Sequence, residues 1–243
     1  MTQRKRILEQ TVAAMQLRYG PAALKRASVK PVAVLPSGIA PLDRALAGGF
    51  PCGRFSELLG RGSAGQFTVA ARVLAQAQQA GQMAAYYVDV DAAVDVEALV
   101  RCGVRLDLLA ILRPHGLGHA LTMTDDLLRM GSLGAVVFDR LDYPLLLADR
   151  GVLKRLECAL RNWTPLLSRS QSVFLFITET PPLPCACPEG LPLASFASIR
   201  LAFEHQAWLS RGSRVVGFAS RVTVLKNKSG PSGQTVSLRF LVT

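Results

Sequence analysis

The chain has 243 residues, half of them hydrophobic, with 28 Lys and Arg against 17 Asp and Glu for a net charge of +11. That length can bury a full-sized core, and one α/β domain with a small appendage is the default. No apolar run approaches the roughly 18 residues of a membrane span, and the opening residues, Met1 to Arg6, lead into no apolar signal core.

Five scattered cysteines, Cys52, Cys102, Cys158, Cys185 and Cys187, fit reduced thiols in a cytoplasm better than a disulfide framework. The charge is uneven. Arg4, Lys5, Arg6, Arg18, Lys25, Arg26 and Lys30 stand against the single acid Glu9, and after Glu204 only basic charges follow: Arg211, Arg214, Arg221, Lys226, Lys228 and Arg239. Two basic ends around a near-neutral middle suit nucleic acid or an acidic protein surface. A charge run alone also fits a solvated face.

In chain order, residues 4–19 place apolar side chains at loosely helical spacing, ended by Gly20 and Pro21. Val29 to Leu35 reads as an extended edge or linker, because Pro31 cannot donate to a sheet ladder. This unit is too short to bury a core alone and must lie against something. A short helix after Pro41 leads to Gly48-Gly49-Phe50-Pro51 and then to a buried strand, Arg54 to Leu59. Further strands are predicted over Met83–Val88, Leu108–Leu112, Leu133–Asp139 and Ser172–Thr178. Helices are predicted over Thr68–Gln79, Val94–Cys102, Ala120–Met130 and Val152–Trp163. Apolar strands alternating with helices imply a parallel sheet covered on both faces. From Ser198 the rhythm changes to short strands, Ser198–Phe203, Gln206–Ser210, Arg221–Asn227 and Gln234–Val242, expected to extend one side of the sheet antiparallel.

The stretch between the first long strand and its helix is Gly60-Arg61-Gly62-Ser63-Ala64-Gly65-Gln66-Phe67-Thr68. Strand, glycine-rich turn and helix form the setting of a phosphate loop G-x-x-x-x-G-K-[ST], and Gly60 and Gly65 stand at its interval. Gln66 and Phe67 occupy the places of the lysine that neutralises phosphate and the hydroxyl that reaches magnesium. Thr68 comes one residue late, about 100° further round the helix.

These pieces in this order resemble the bacterial RecA recombinase family, from the N-terminal helix to the end of the chain. The carriers are Pro36-Ser37-Gly38 through Asp43, Gly48 through Arg54, and Tyr87-Val88-Asp89-Val90-Asp91 through Asp95. Val136-Val137-Phe138-Asp139 and Val224-Leu225-Lys226-Asn227-Lys228 complete the series. The resemblance implies a RecA-like α/β core over 36–243 with a mostly parallel central sheet, helices on both faces and antiparallel strands on the C-terminal side. It implies an oligomerisation or docking unit over 1–35. It makes Asp139 the Walker B residue, puts Asp91 in the place of a catalytic glutamate, and makes Lys226 and Lys228 the pair that reaches a neighbour's nucleotide. Glu179 stands where the family has a glutamine that senses phosphate, and a carboxylate there would face phosphate charge. The DNA loops correspond to a curtailed Arg140–Arg150 and to a proline-rich 180–192.

With Gln66 and Phe67 in the loop, the resemblance narrows to ImuA-type accessory proteins of SOS mutagenesis. The implied function is a catalytically inactive module of translesion synthesis, with a degenerate nucleotide loop, vestigial Asp139 and Asp91, and no cofactor or metal. The implied partners are RecA and an ImuB-like Y-family polymerase. Self-association and single-stranded DNA contact, through Arg4, Lys5, Arg6, Lys25, Arg26, Arg211 and Arg214, are further expectations. Two alternatives stay open: a DNA-dependent ATPase whose atypical loop recruits a cation such as Arg61, and an SOS cell-division inhibitor. Cys185 and Cys187 read as plain thiols, and His115 and His119 as turn histidines. Asp139 and Asp142 resemble a metal pair, but Asp139 reads as a strand-end cap rather than a metal ligand.

Overall fold

The structure, a computed structural model, describes residues 3–20, 32–81, 85–131, 133–180 and 191–241, and for Leu145 the backbone alone. Lys25, Arg26, Cys185 and Cys187 therefore lie outside the described residues, as do most of the 180–192 loop and the start of the strand expected from Met83. Contacts divide the chain into two units, Met1–Val32 and Ala33–Thr243. The first contributes one helix, α1 (Gln3–Tyr19), with no buried residue. Ile7, Leu8 and Leu17 on it are exposed. No helix among the described residues is long and apolar enough to cross a membrane.

The second unit opens with β1 (Val34–Leu35), α2 (Ala40–Ala45) and β2 (Phe50–Pro51), β1 and β2 pairing antiparallel. The main elements then alternate: β3 (Arg54–Gly60), α3 (Gln66–Gln79), β4 (Ala85–Asp89), α4 (Val96–Arg101), β5 (Leu109–Leu112), α5 (Leu117–Met130) and β6 (Ala135–Asp142). After them come α6 (Tyr143–Ala148), α7 (Arg150–Leu167), β7 (Val173–Glu179), α8 (Pro192–Phe196), β8 (Ile199–Arg211), β9 (Arg214–Asn227) and β10 (Thr235–Leu241). The eight-stranded sheet runs β10-β9-β8-β3-β7-β6-β4-β5. Its members from β8 to β5 pair parallel, and β8, β9 and β10 pair antiparallel. This is the α/β architecture expected from the sequence.

The strand runs are apolar on both faces because both faces are covered. Along β7, Val173, Leu175 and Ile177 enter the core beneath α3, while Phe174 and Phe176 enter the core beneath α5 and α7. This is the period of two that a pleated strand dictates. On the α7 side, Trp163 is fully buried and its indole N–H donates to Asp125 at 3.2 Å.

Two segments differ from expectation. Arg140–Arg150, expected as a DNA loop, continues β6 to Asp142 and then forms α6, because Leu141, Tyr143 and Leu146 bury their side chains in the second core. Asp149 then caps α7, accepting the N–H groups of Gly151 and Val152 at 2.8 and 3.1 Å. A short polar residue ahead of a helical run was a legible start signal. Ser198–Phe203 and Gln206–Ser210 form one strand, β8, whose register shifts between His205 and Ala207 absorb the intervening residues.

Candidate functional site

The carboxyl ends of β3, β4, β6 and β7 face one cleft of about 410 Å³. In open α/β sheets ligands bind in this place. The floor is the Gly60–Thr68 turn. Gly65 takes φ +106° to start α3, and a Cβ there would meet the Phe240 ring at 2.4 Å. Gly65→Ala is therefore expected to cost about 2 kcal/mol, since the left-handed backbone alone costs a non-glycine 1 to 3. A thermal midpoint lowered by about 4 to 8 °C checks this.

Gln66, first residue of α3, is buried, with its amide packed against the Gly60 backbone. Phe67 turns toward Tyr87, with ring centroids 6.2 Å apart. Thr68, expected further round the helix, nonetheless lines the cleft with Gly62, Ser63 and Gly65. Arg61 is exposed beside the turn, and Ala64 is buried beneath it. The first N–H groups of α3 have no intrahelical partner and make an anion-seeking end.

Above the floor stands a network that no single motif announced. Arg140 donates from Nε to Asp91 at 3.1 Å and from Nη1 to Glu179 at 3.3 Å. Glu179 also accepts the Gly62 N–H at 2.9 Å. The carboxylate expected to face phosphate charge is thus held between a guanidinium and a loop N–H. Asp89 accepts the N–H groups of Ala93 and Val94 at 2.9 and 3.2 Å, fixing the turn that carries Asp91. Asp139 accepts a hydrogen bond from the Tyr87 hydroxyl. Burial pushes the Asp139 carboxyl up to about 6, against the downward pull of Tyr87 and Arg140.

Asp89, Asp91, Asp95, Asp139 and Glu179 line this cleft with one cation, Arg140. Arg113 reaches Asp89 at 3.8 Å and Arg101 reaches Asp95 at 3.4 Å from outside this lining, which still leaves more acids than cations around the cleft. Magnesium takes one or two carboxylates together with phosphate oxygens and water, so Asp139 fits it as a ligand once phosphate is present. Among the described residues no three His, Cys, Asp or Glu side chains form a ready-made metal cluster.

The other predicted residues lie elsewhere. Lys226 donates from Nζ to the carbonyls of Ala194 and Ser195 at 2.6 and 3.4 Å, on the α8 side of the sheet. Lys228, just past β9, donates its N–H to the Ser198 carbonyl at 2.9 Å. Arg211 and Arg214 are exposed at the β8–β9 turn, and Arg4, Lys5 and Arg6 are exposed on α1. His115 and His119 stack at 5.5 Å, and the His115 N–H donates to His119 Nδ1 at 3.2 Å.

A family model described as the RecA N-terminal domain matches residues 6–243. The chain belongs to the RecA family. It is 34% identical over 221 residues to Protein RecA 1 of Myxococcus xanthus, covering 84% of this chain and 64% of that protein. It is 32% identical over 250 residues to Protein RecA of Symbiobacterium thermophilum, covering 94% of this chain and 71% of that one. The chain thus spans about two thirds of the length of these relatives. A crystal structure of the RadB recombinase superposes with a TM-score of 0.68 at 17% identity, over 85% of this chain and 96% of that one. At that identity the likeness speaks for the fold.

The expectation of a catalytically silent chain is corrected by these findings. The proteins it resembles along nearly its whole length are RecA proteins, and its fold is that of a recombinase. Although Gln66 and Phe67 stand in the loop, the fold brings the Arg140 guanidinium and the Thr68 side chain to the same cleft. Arg61, the expected alternative cation, is exposed beside the turn; Arg140, a basic residue directly after Asp139 in the sequence, lines the cleft.

Proposed function

We propose that this RecA-family chain is a recombinase-like protein that binds and hydrolyses ATP in association with single-stranded DNA, through an atypical phosphate loop. The observation that carries this reading is the Arg140 guanidinium, held over the loop between Asp91 and Glu179. An entering triphosphate competes for the same donors. The Gly62 N–H and Arg140 turn from Glu179 to phosphate, and Asp91, released by Arg140, is left free to orient a water. Magnesium on Asp139 would supply the remaining charge neutralisation. The DNA is met by exposed basic residues, among them Arg211 and Arg214 at the β8–β9 turn, with the 61% exposed Trp208 of β8 available for base stacking. The scattered free cysteines support a cytoplasmic setting for this activity.

The test is phosphate release from ATP with and without single-stranded DNA. Turnover that DNA stimulates, and that Arg140→Ala lowers at least tenfold, is expected. Absence of both ATP binding and turnover in the unaltered chain would end the reading.

A second reading is favoured by Lys226 and Lys228, which sit away from this chain's own cleft. They would meet the nucleotide of an adjoining RecA-type subunit, either a second copy or a separate RecA. The ImuA-type role belongs here, and it predicts co-purification with a Y-family polymerase.

A further inference from the structure

Behind the loop cleft lies a second one, of about 520 Å³, between α3, α4 and the β9–β10 pair. The two share the walls Phe67, Thr68, Ala98 and Phe218 and so adjoin. Their charges are opposite. The loop cleft is lined by five carboxylates and one guanidinium, whereas the second is lined by Arg72, Arg101 and Arg239 with no acidic residue. Arg101 is shared with Asp95 at 3.4 Å and Glu97 at 3.8 Å. Arg72 and Arg239 are exposed, and neither has an ion-pair or hydrogen-bond partner among the described residues. They come from different elements, α3 and β10, and meet over one concavity.

Unpaired guanidiniums from separate elements, converging on a cleft with aromatic walls, suit a phosphoryl group attached to a planar ring. The volume lies within the range of small-ligand sites. Arg72 stands about 9 Å along α3 from Gln66, at 1.5 Å per residue, a separation that a nucleoside can span. We propose that the second cleft is a phosphate site and that the two clefts together take a nucleotide phosphorylated at both ends. The 5′-phosphate lies on the Gly60–Thr68 turn, the base lies along Phe67 and Phe218, and the second phosphoryl group lies on Arg72 and Arg239. The loop half of this inference rests on the proposed nucleotide reading; the arginine half is new.

Cys102 gives a local reporter. It lines the second cleft and is partly buried; burial pushes its thiol up, against the pull of Arg72 and Arg101. The experiment compares AMP with adenosine 3′,5′-bisphosphate by calorimetry, using the unaltered chain and the double variant Arg72→Ala with Arg239→Ala, whose changed side chains are exposed. Alkylation of Cys102, read by peptide mass, is followed in parallel. The bisphosphate is expected to bind at least tenfold tighter than AMP and to slow Cys102 alkylation. The double variant is expected to erase that advantage while keeping AMP affinity within about twofold. Equal affinity for the two nucleotides, with Cys102 unprotected, overturns the second site and leaves the loop reading standing. Failure of both nucleotides and of ATP to bind overturns both.

Discussion

Replacing Arg200 by Ala is expected to destabilise the folded chain by about 3 to 5 kcal/mol, the usual cost of leaving a buried charge without its partner. Arg200 on β8 donates from Nε to Glu57 on β3 at 2.5 Å, and Glu57 is fully buried at the centre of the sheet. Thr178 on β7 adds a longer hydroxyl contact at 3.4 Å. Burial raises the Glu57 pKa, and Arg200 is the main influence pulling it back down. Without Arg200 the acid rises further. A raised folded-state value means stability that is present in acid and lost as pH climbs through it. The deficit should therefore be larger at pH 8 than at pH 5. Urea unfolding at the two pH values reads it directly. The double change Glu57→Leu with Arg200→Leu should cost less than Arg200→Ala alone, because a pair of well-packed apolar groups leaves no unpaired charge. A single variant no less stable than the double would refute the pairing.

The second large effect is functional. Asp139→Asn is expected to lower ATP turnover by at least about 100-fold, the order of loss seen when a group that stabilises transition-state charge is removed. The same change should stabilise the empty protein at high pH. Burial holds the Asp139 acid at about 6, well above the ordinary carboxylate value. The native carboxyl thus favours folding below the unfolded value and loses that advantage as pH rises from about 4 through 6. Asparagine carries no charge at any pH and can still accept the Tyr87 hydroxyl. At pH 8 the variant should gain about 3 kcal/mol, and at pH 4 almost nothing. Thermal melts at the two pH values, set beside phosphate release, check both halves. A stabilised but inactive variant is what a cleft strained by unbalanced acids predicts. Turnover within a few fold of the unaltered chain would remove Asp139 from the chemistry.

The two experiments test different depths of the same sheet. Glu57 and Arg200 lie along its centre and belong to folding. Asp139, Asp91, Arg140 and Glu179 lie at its carboxyl edge, where the strands stop pairing and their side chains face a ligand instead of each other. The residues that carry stability and those that carry chemistry are separated by position along the strand, so each can be altered with limited effect on the other.

Read as a string, the chain already contained its architecture. The apolar runs over 54–59, 133–139 and 172–178, interrupted by helical spacing, specified a sheet buried on both faces. The order of the motifs around Asp91, Asp139 and Lys226 specified the family. These features are local, or depend on succession, and hydrophobic periodicity records both. The meaning of the loop was not local. Gln66 and Phe67 suggested a spent site because a motif is judged by its own residues, whereas a cleft is filled by whatever the fold delivers to it. Arg140 arrives from β6, Asp91 from the turn after β4, and Glu179 from the end of β7. Arg72 and Arg239, 167 positions apart by their numbering, share a wall only because β10 folds back beside α3. Pairing of charges across such distances is decided by the packing of the sheet, and no window along the sequence contains it.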